Sequence, residues 1–215
     1  MVRPLLPRAV LRLRGQPRRP ARAPRARARG LPERRPGRPR SGLRGSTPGG
    51  RRPFFLYLAP HAPHQPDRPA PRHDLAFADL RAPRPPSFDE EDVSTKPGWV
   101  RAQPRFSPEV ADRIDDLYRR RLRTLLAVDE MIERLLQAVA AQDELDSTYV
   151  FLTSDNGFQL GAHRLDHGKG DAYEESIRVP LVVRGPGVPP GAREEPVLNI
   201  DLAPTLAELA GAAAP

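Results

Sequence analysis

The sequence predicts an α/β fold, a mostly parallel sheet flanked by helices, and three observations predict it. Short runs of strand-forming residues at 54–59, 147–153 and 179–184 alternate with a long stretch of helical periodicity and a shorter helix near the end. Each strand run closes on breaker residues: Pro60, then Asp155-Asn156-Gly157, then Gly185-Pro186-Gly187. Residues able to do chemistry follow these runs, at the edge where open α/β sheets bind their ligands.

The first run, Phe54-Phe55-Leu56-Tyr57-Leu58-Ala59, is continuous and apolar, as expected of a strand buried on both faces. Residues 66–106 are rich in proline and irregular, and read as a long surface excursion within one domain. Ser107-Pro108 then starts a helix, with a hydroxyl at the cap and proline at the first helical position. Val110, Ile114, Leu117, Leu125, Val128, Ile132, Leu135 and Val139 recur at a spacing near 3.6, broken only around Arg121. That predicts an amphipathic helix of about 30 residues. The basic cluster Arg119-Arg120-Arg121 with Arg123 reads as its solvated face. Ser147-Thr148-Tyr149-Val150-Phe151-Leu152 and Val179-Pro180-Leu181-Val182-Val183-Arg184 supply the next two strands, and residues 201–211 a short helix capped by Asp201 and stopped at Gly211.

Charge divides the chain. Its 215 residues carry a formal +8, yet residues 1–52 hold 17 Arg and a single acid, Glu33. The remainder keeps 18 of the 35 basic and 26 of the 27 acidic residues, an acidic body behind an intensely basic leader. The leader is built from Arg, Pro, Ala, Gly and Leu, without lysine or any aromatic residue to stack on bases. That composition points to a spurious, out-of-frame start or a disordered tail, and a nucleic-acid partner is not expected. The expected organisation is a disordered leader over 1–52, a catalytic segment over 53–211 and a tail over 212–215. No apolar core of export-signal length is present, no run approaches a membrane span, and location stays open. The absence of cysteine excludes disulfides and thiolate metal sites.

The most informative feature is Thr153-Ser154-Asp155-Asn156-Gly157 at the end of the second strand. It sets two oxygen donors side by side and lets a glycine turn the backbone away. Lys169 follows in Gly168-Lys169-Gly170, and His61-Ala62-Pro63-His64 lies directly after the first strand. Two hard oxygen donors, an ammonium and an imidazole suggest a metal-assisted site for an anionic ester.

Taken in order, the 54–64 run, Thr-Ser-Asp-Asn-Gly, Gly168-Lys169-Gly170, the 177–187 run and Asn199-Ile200-Asp201-Leu202-Ala203-Pro204-Thr205-Leu206 resemble the second half of a type I sulfatase catalytic domain. The likeness spans residues 53–211 and is closest in flavour to the N-acetylglucosamine-6-sulfatase branch of the alkaline-phosphatase-like superfamily. The resemblance implies part of the sandwich fold of that superfamily and hydrolysis of a sulfuric ester, of a sulfated sugar or an aryl sulfate. It further implies one calcium ion held by Asp155 and Asn156, with His64 and Lys169 as catalytic residues. His163 is either a substrate-side contact or a plain loop residue, His61 packs or caps, and His167 lies at the surface. Tyr173, Glu174 and Arg178 are expected to anchor the site loop to the strand that follows.

Sulfatases make their nucleophile, formylglycine, from the first residue of a Cys- or Ser-x-Pro-x-Arg signature, and this sequence has no such run. Ser46-Thr47-Pro48-Gly49-Gly50-Arg51 places its arginine one position late. The early aspartate pair that completes the family's calcium shell is also absent. Two alternatives therefore stand beside sulfate-ester hydrolysis: a phosphoesterase of the same superfamily, and an inactive remnant whose basic leader binds polyanions.

Overall fold

A computed structural model describes residues 11–12 and 53–212 of the chain. Apart from residues 11–12, the disordered leader expected over 1–52 lies outside the described residues, as do residues 213–215 of the tail. The chain divides into two units, Pro17–Pro60 and a larger one made of Met1–Gln16 with His61–Pro215. In the smaller unit residues 53–60 form no strand, and Phe54, Phe55, Leu56, Tyr57 and Leu58 are all exposed. The expected first strand is thus corrected to chain without regular secondary structure. An apolar run becomes a strand only through a ladder with a neighbour, and these residues enter none.

In the larger unit the helical elements are α1 (Gly98–Arg101), α2 (Pro108–Ala140), α3 (Glu174–Ile177) and α4 (Leu202–Leu209). Three 3₁₀ turns accompany them at Pro71–His73, Leu145–Ser147 and Asn199–Asp201. The strands are β1 (Leu11–Arg12), β2 (Val150–Thr153) and β3 (Pro180–Arg184), in the order β1-β3-β2. Both helix and sheet are present, as an α/β class requires. The pairing, however, is antiparallel throughout this sheet, with Val150 opposite Arg184 and Thr153 opposite Leu181. The mostly parallel expectation does not describe these strands. A parallel crossover needs a covering helix between strands. The segment joining β2 to β3 carries only the four-residue α3, because most of it is the site loop.

Helix α2 runs unbroken for 33 residues, about 50 Å at 1.5 Å per residue. Ser107 stands at the cap position, but its side chain makes no capping bond to the backbone. Its hydroxyl instead bonds the carboxyl of Glu109, which is thereby held below the usual carboxylate range. The predicted stripe holds for Ile114 and Leu117, which are buried. It fails at Leu125, which is exposed, while the neighbouring Thr124 is buried and donates its hydroxyl proton to the Arg121 carbonyl at 2.7 Å.

The proline-rich stretch lies mostly at the surface, as expected, but it is pinned inward at three buried points. Ala82, Val93 and Val100 are buried in company with Ile114, Leu117, Ala162, Val179 and Leu181. Polar groups of α2 fasten it along the helix. Arg123 donates to Ala76 O at 2.7 Å, Arg119 to Leu80 O at 3.1 Å, and Arg120 pairs with Asp67 at 2.8 Å. Buried Asp115 accepts from the Ala82 amide at 2.9 Å and from Arg84 at 2.7 Å. The arginine cluster read as a solvated face is therefore the clamp that holds residues 63–84. Prolines remove backbone donors and fix φ, so such a segment cannot order itself through a ladder and takes its order from side chains of a neighbouring helix.

Candidate functional site

The site loop begins where β2 stops. Ser154 Oγ donates to Asn156 O at 2.8 Å, and Asp155 Oδ1 accepts the Asn156 amide at 2.9 Å, which curls the chain into a tight turn. Asn199, in the 3₁₀ turn before α4, donates its side-chain amide to Ser154 O at 3.0 Å and more distantly to Asp155 O at 3.4 Å. Gly157 then passes against α3. Its amide donates to Ser176 O at 2.8 Å, and a Cβ there would lie 2.0 Å from Glu175 O. Glycine is required at 157 by proximity rather than by torsion angle.

The chain returns to this turn through a bridge between Gln159 and Gly168, whose amide-to-carbonyl bond is 2.7 Å. Gly168 and Gly170 have φ of +137° and +104° with open space around them, so here torsion, not crowding, favours glycine. Between them Lys169 donates from Nζ to Asn156 Oδ1 at 3.2 Å. Asp155 and Lys169 are exposed and Asn156 is half-buried. Gln159, almost wholly buried, anchors the return by donating to Asp171 Oδ1 at 3.1 Å, and the same oxygen accepts the Tyr173 amide at 3.0 Å.

His64 is exposed, with Nδ1 2.8 Å from Gln65 O. A carbonyl only accepts, so Nδ1 carries the proton and Nε2 is the nitrogen able to exchange one. The ring sits 5.1 Å from that of His61, whose carbonyl accepts the His64 amide at 2.9 Å. The link from this turn to the site loop is Arg121. Its Nη1 donates to Pro63 O at 3.0 Å while its Cζ lies 3.9 Å from the centre of the Phe158 ring.

His163 occupies a different position. Its Nδ1 is 3.0 Å from Glu90 Oε2, its Nε2 is 3.3 Å from Glu175 Oε2, and its ring stacks on Tyr173 at 4.0 Å. Lys96 joins Glu90 at 3.1 Å. The bond with His163, reinforced by Lys96, holds the Glu90 carboxyl below the usual range. The side chain of His163 is 12% exposed, and its partners tie residues 87–96 to α3. His167 is exposed beside Asp166.

The structure thus joins Asn156 and Lys169 directly, sets Asp155 beside them, and connects the His64 turn to them through Arg121. His163 reaches them indirectly, through α3 and through the Tyr173 ring. Arg121, Asn199 and Glu175 have no part in the site as read from sequence, where Arg121 reads as solvated and Asn199 stands only at the head of a family-like run. The break in the helical stripe at 121 was the one signal available for Arg121. Asn199 and Glu175 act through contacts remote in the chain, which no local pattern announces.

For a hard divalent ion, the Asp155 carboxylate and the Asn156 amide oxygen are the right donor chemistry. Asn156 Oδ1 already faces a cation in Lys169. Two donors do not fill a calcium shell of six to eight oxygens. Among the described residues no group of three or more His, Asp or Glu side chains forms a ready cage.

Comparison with known proteins identifies the family of the chain. The family model described as Sulfatase matches residues 47–212. An arylsulfatase of Volvox carteri is 37% identical over 187 residues, covering 75% of this chain and 29% of that protein. Human N-acetylglucosamine-6-sulfatase is 39% identical over 162 residues, covering 74% of this chain and 29% of its own length. A structure solved in complex with its substrate D-glucosamine-2-N,6-O-disulfate superposes with a TM-score of 0.58 at 29% identity, over 72% of this chain and 43% of that one. The chain therefore spans about a third of the curated relatives it matches.

Proposed function

This chain belongs to the sulfatase family, and we propose that its strand-end site takes part in hydrolysing the sulfate ester of an amino sugar. The observation that carries the reading is the 3.2 Å contact between Lys169 and Asn156, which brings an ammonium to the exposed turn holding Asp155. The substrate class follows the relatives: one is an N-acetylglucosamine-6-sulfatase, and another is named with a glucosamine disulfate as its substrate.

In this reading Lys169 holds a sulfate oxygen and offsets the charge that grows there as the ester bond breaks. His64, with Nδ1 fixed on Gln65 O, delivers a proton from Nε2 to the departing alkoxide. Asp155 and Asn156 supply two oxygens to a calcium ion, which when bound would polarise the sulfate. The nucleophile comes from outside these residues, since the sequence holds no Cys- or Ser-x-Pro-x-Arg run, and so do the remaining ligands, since two donors leave a calcium shell unfilled.

The test compares a chromogenic aryl sulfate with the matching aryl phosphate. It uses the chain and a form extended upstream in the genomic reading frame, with and without a calcium chelator. Sulfate turnover lost on chelation and restored by calcium is the expected result. A preference for the phosphate, or indifference to chelation in an active form, overturns the proposal.

A further inference from the structure

We propose that Arg121 is a positioning residue that sets the imidazole of His64 against the Asn156 turn. The inference rests on the reading of those two residues as parts of one site.

The argument starts from what Arg121 costs. It stands inside the apolar stripe of α2, where leucine would continue the pattern without desolvating a charge. The side chain is half-buried, and burial pulls its guanidinium below the ordinary value, against the pull of the nearby Asp67. Its neighbours on the helix are paired, Arg120 with Asp67 and Arg119 with Asp116. Among the described residues Arg121 makes no ion pair of its own. A half-buried cation without a carboxylate partner is a poor way to stabilise a helix face.

What it does have is two partners on different loops. The Pro63 carbonyl, one residue before His64, accepts its proton at 3.0 Å. The Phe158 ring, two residues after Asn156, lies beneath its Cζ, with the ring centre 3.9 Å away. A guanidinium is planar and offers several donors in a fixed fork, so it can grip a carbonyl at its edge while an aromatic face covers it. The base of this fork is the middle of a 33-residue helix, a rigid mount for two loops. The same helix anchors the chain that follows the His64 turn, through Arg120 at Asp67 and Arg123 at Ala76 O. Arg121 is thus the point at which loops 61–67 and 155–159 share one reference.

The test follows the isotope-labelled full chain and its R121K and R121M variants by nuclear magnetic resonance. The readouts are the imidazole nitrogens of His64 and the side-chain amide of Asn156. Far-UV circular dichroism reports the helix. In R121M both sets of signals are expected to shift or broaden, while resonances of the distant Asp115–Arg84 pair stay in place. In R121K, lysine can still donate to Pro63 O but cannot lie flat on Phe158. The His64 signals are therefore expected to return towards wild type while those of Asn156 remain displaced. Unchanged His64 signals in R121M overturn the proposal, as do shifts spread evenly along α2. If R121M does not fold, R121K decides alone, because equal behaviour of the two readouts there removes the two-loop coupling. None of these readouts needs turnover, so a chain inactive on every ester still tests the inference.

Discussion

Replacing Gly157 by alanine tests the closest approach in the site. The added methyl would stand 2.0 Å from Glu175 O, 2.9 Å from Glu175 C and 3.2 Å from Ser176 C. All three are backbone atoms, so no side chain can swing aside. Restoring an ordinary contact of about 3.5 Å takes about 1.5 Å of backbone movement. That movement carries the bond from the Gly157 amide to Ser176 O, now 2.8 Å, out of range. Overpacking of this kind costs about 1–3 kcal/mol. Losing a bond between partly buried groups adds about 0.5–1.5 kcal/mol. A loss of about 2–4 kcal/mol is therefore expected in urea unfolding of the full chain, read by circular dichroism and linear extrapolation. Gly98 is the comparison, since a Cβ there meets only Arg101 Nη2 at 3.8 Å. G98A should stay within about 0.5 kcal/mol of wild type. If G157A also does, the loop does not rest on α3 and the account of how Asn156 is positioned is wrong.

Four further outcomes follow from contacts elsewhere in the structure. D115A removes the buried carboxylate, leaving the Ala82 amide and Arg84 without it, and should cost about 2–4 kcal/mol in the same unfolding experiment, discounted for the partly exposed Arg84. D116A removes an exposed pair partner and should cost less than about 1 kcal/mol. The hydrogen bond from Arg72 lowers the Glu130 carboxyl from 4.5 to about 2. A depressed folded value means that this contact favours the fold above 4.5 and is lost as pH falls towards about 2. Carboxyl nuclear magnetic resonance should find that midpoint, and R72A should return it to the ordinary range. In a form active on aryl sulfate, K169M should lower kcat by about 10²–10³ with the unfolding midpoint unchanged, because an exposed ammonium stabilises charge without carrying packing. An unchanged kcat would remove Lys169 from the chemistry.

The elements that could be read from sequence are those whose cause is local. Ser107-Pro108 and the 3.6-residue recurrence locate α2 because torsion preference and amphipathic spacing act within a few turns. Gly211, with φ of +67°, ends the last helical segment as its place in the sequence predicts. The donor pair at 155–156 was visible because Asp-Asn-Gly is itself a turn signal. The remainder has non-local causes. Nothing within residues 66–106 says that Ala82, Val93 and Val100 are buried, and the partner of the Ala82 amide is Asp115, 33 residues on in α2. Antiparallel pairing of β2 with β3 was hidden because an apolar run carries no strand direction.

One consequence joins these misreadings. An arginine cluster on a helix reads as solvent-facing because, in water, a guanidinium gains little by leaving it. Beside a proline-rich segment the balance changes. That segment exposes carbonyls that no ladder will use, and each needs a donor once it is covered. Arg119, Arg121 and Arg123 meet Leu80 O, Pro63 O and Ala76 O respectively, so the helix supplies donors that proline and irregular backbone cannot. The cluster and the prolines are therefore two halves of one feature, donors on the helix and acceptors on the segment. It follows that R119Q, R121Q and R123Q should each weaken protection of residues 63–82 in hydrogen exchange more than that of β2 and β3. Equal loss across the chain would mean that the arginines merely stabilise α2, and the His64 turn would then owe its place to something else.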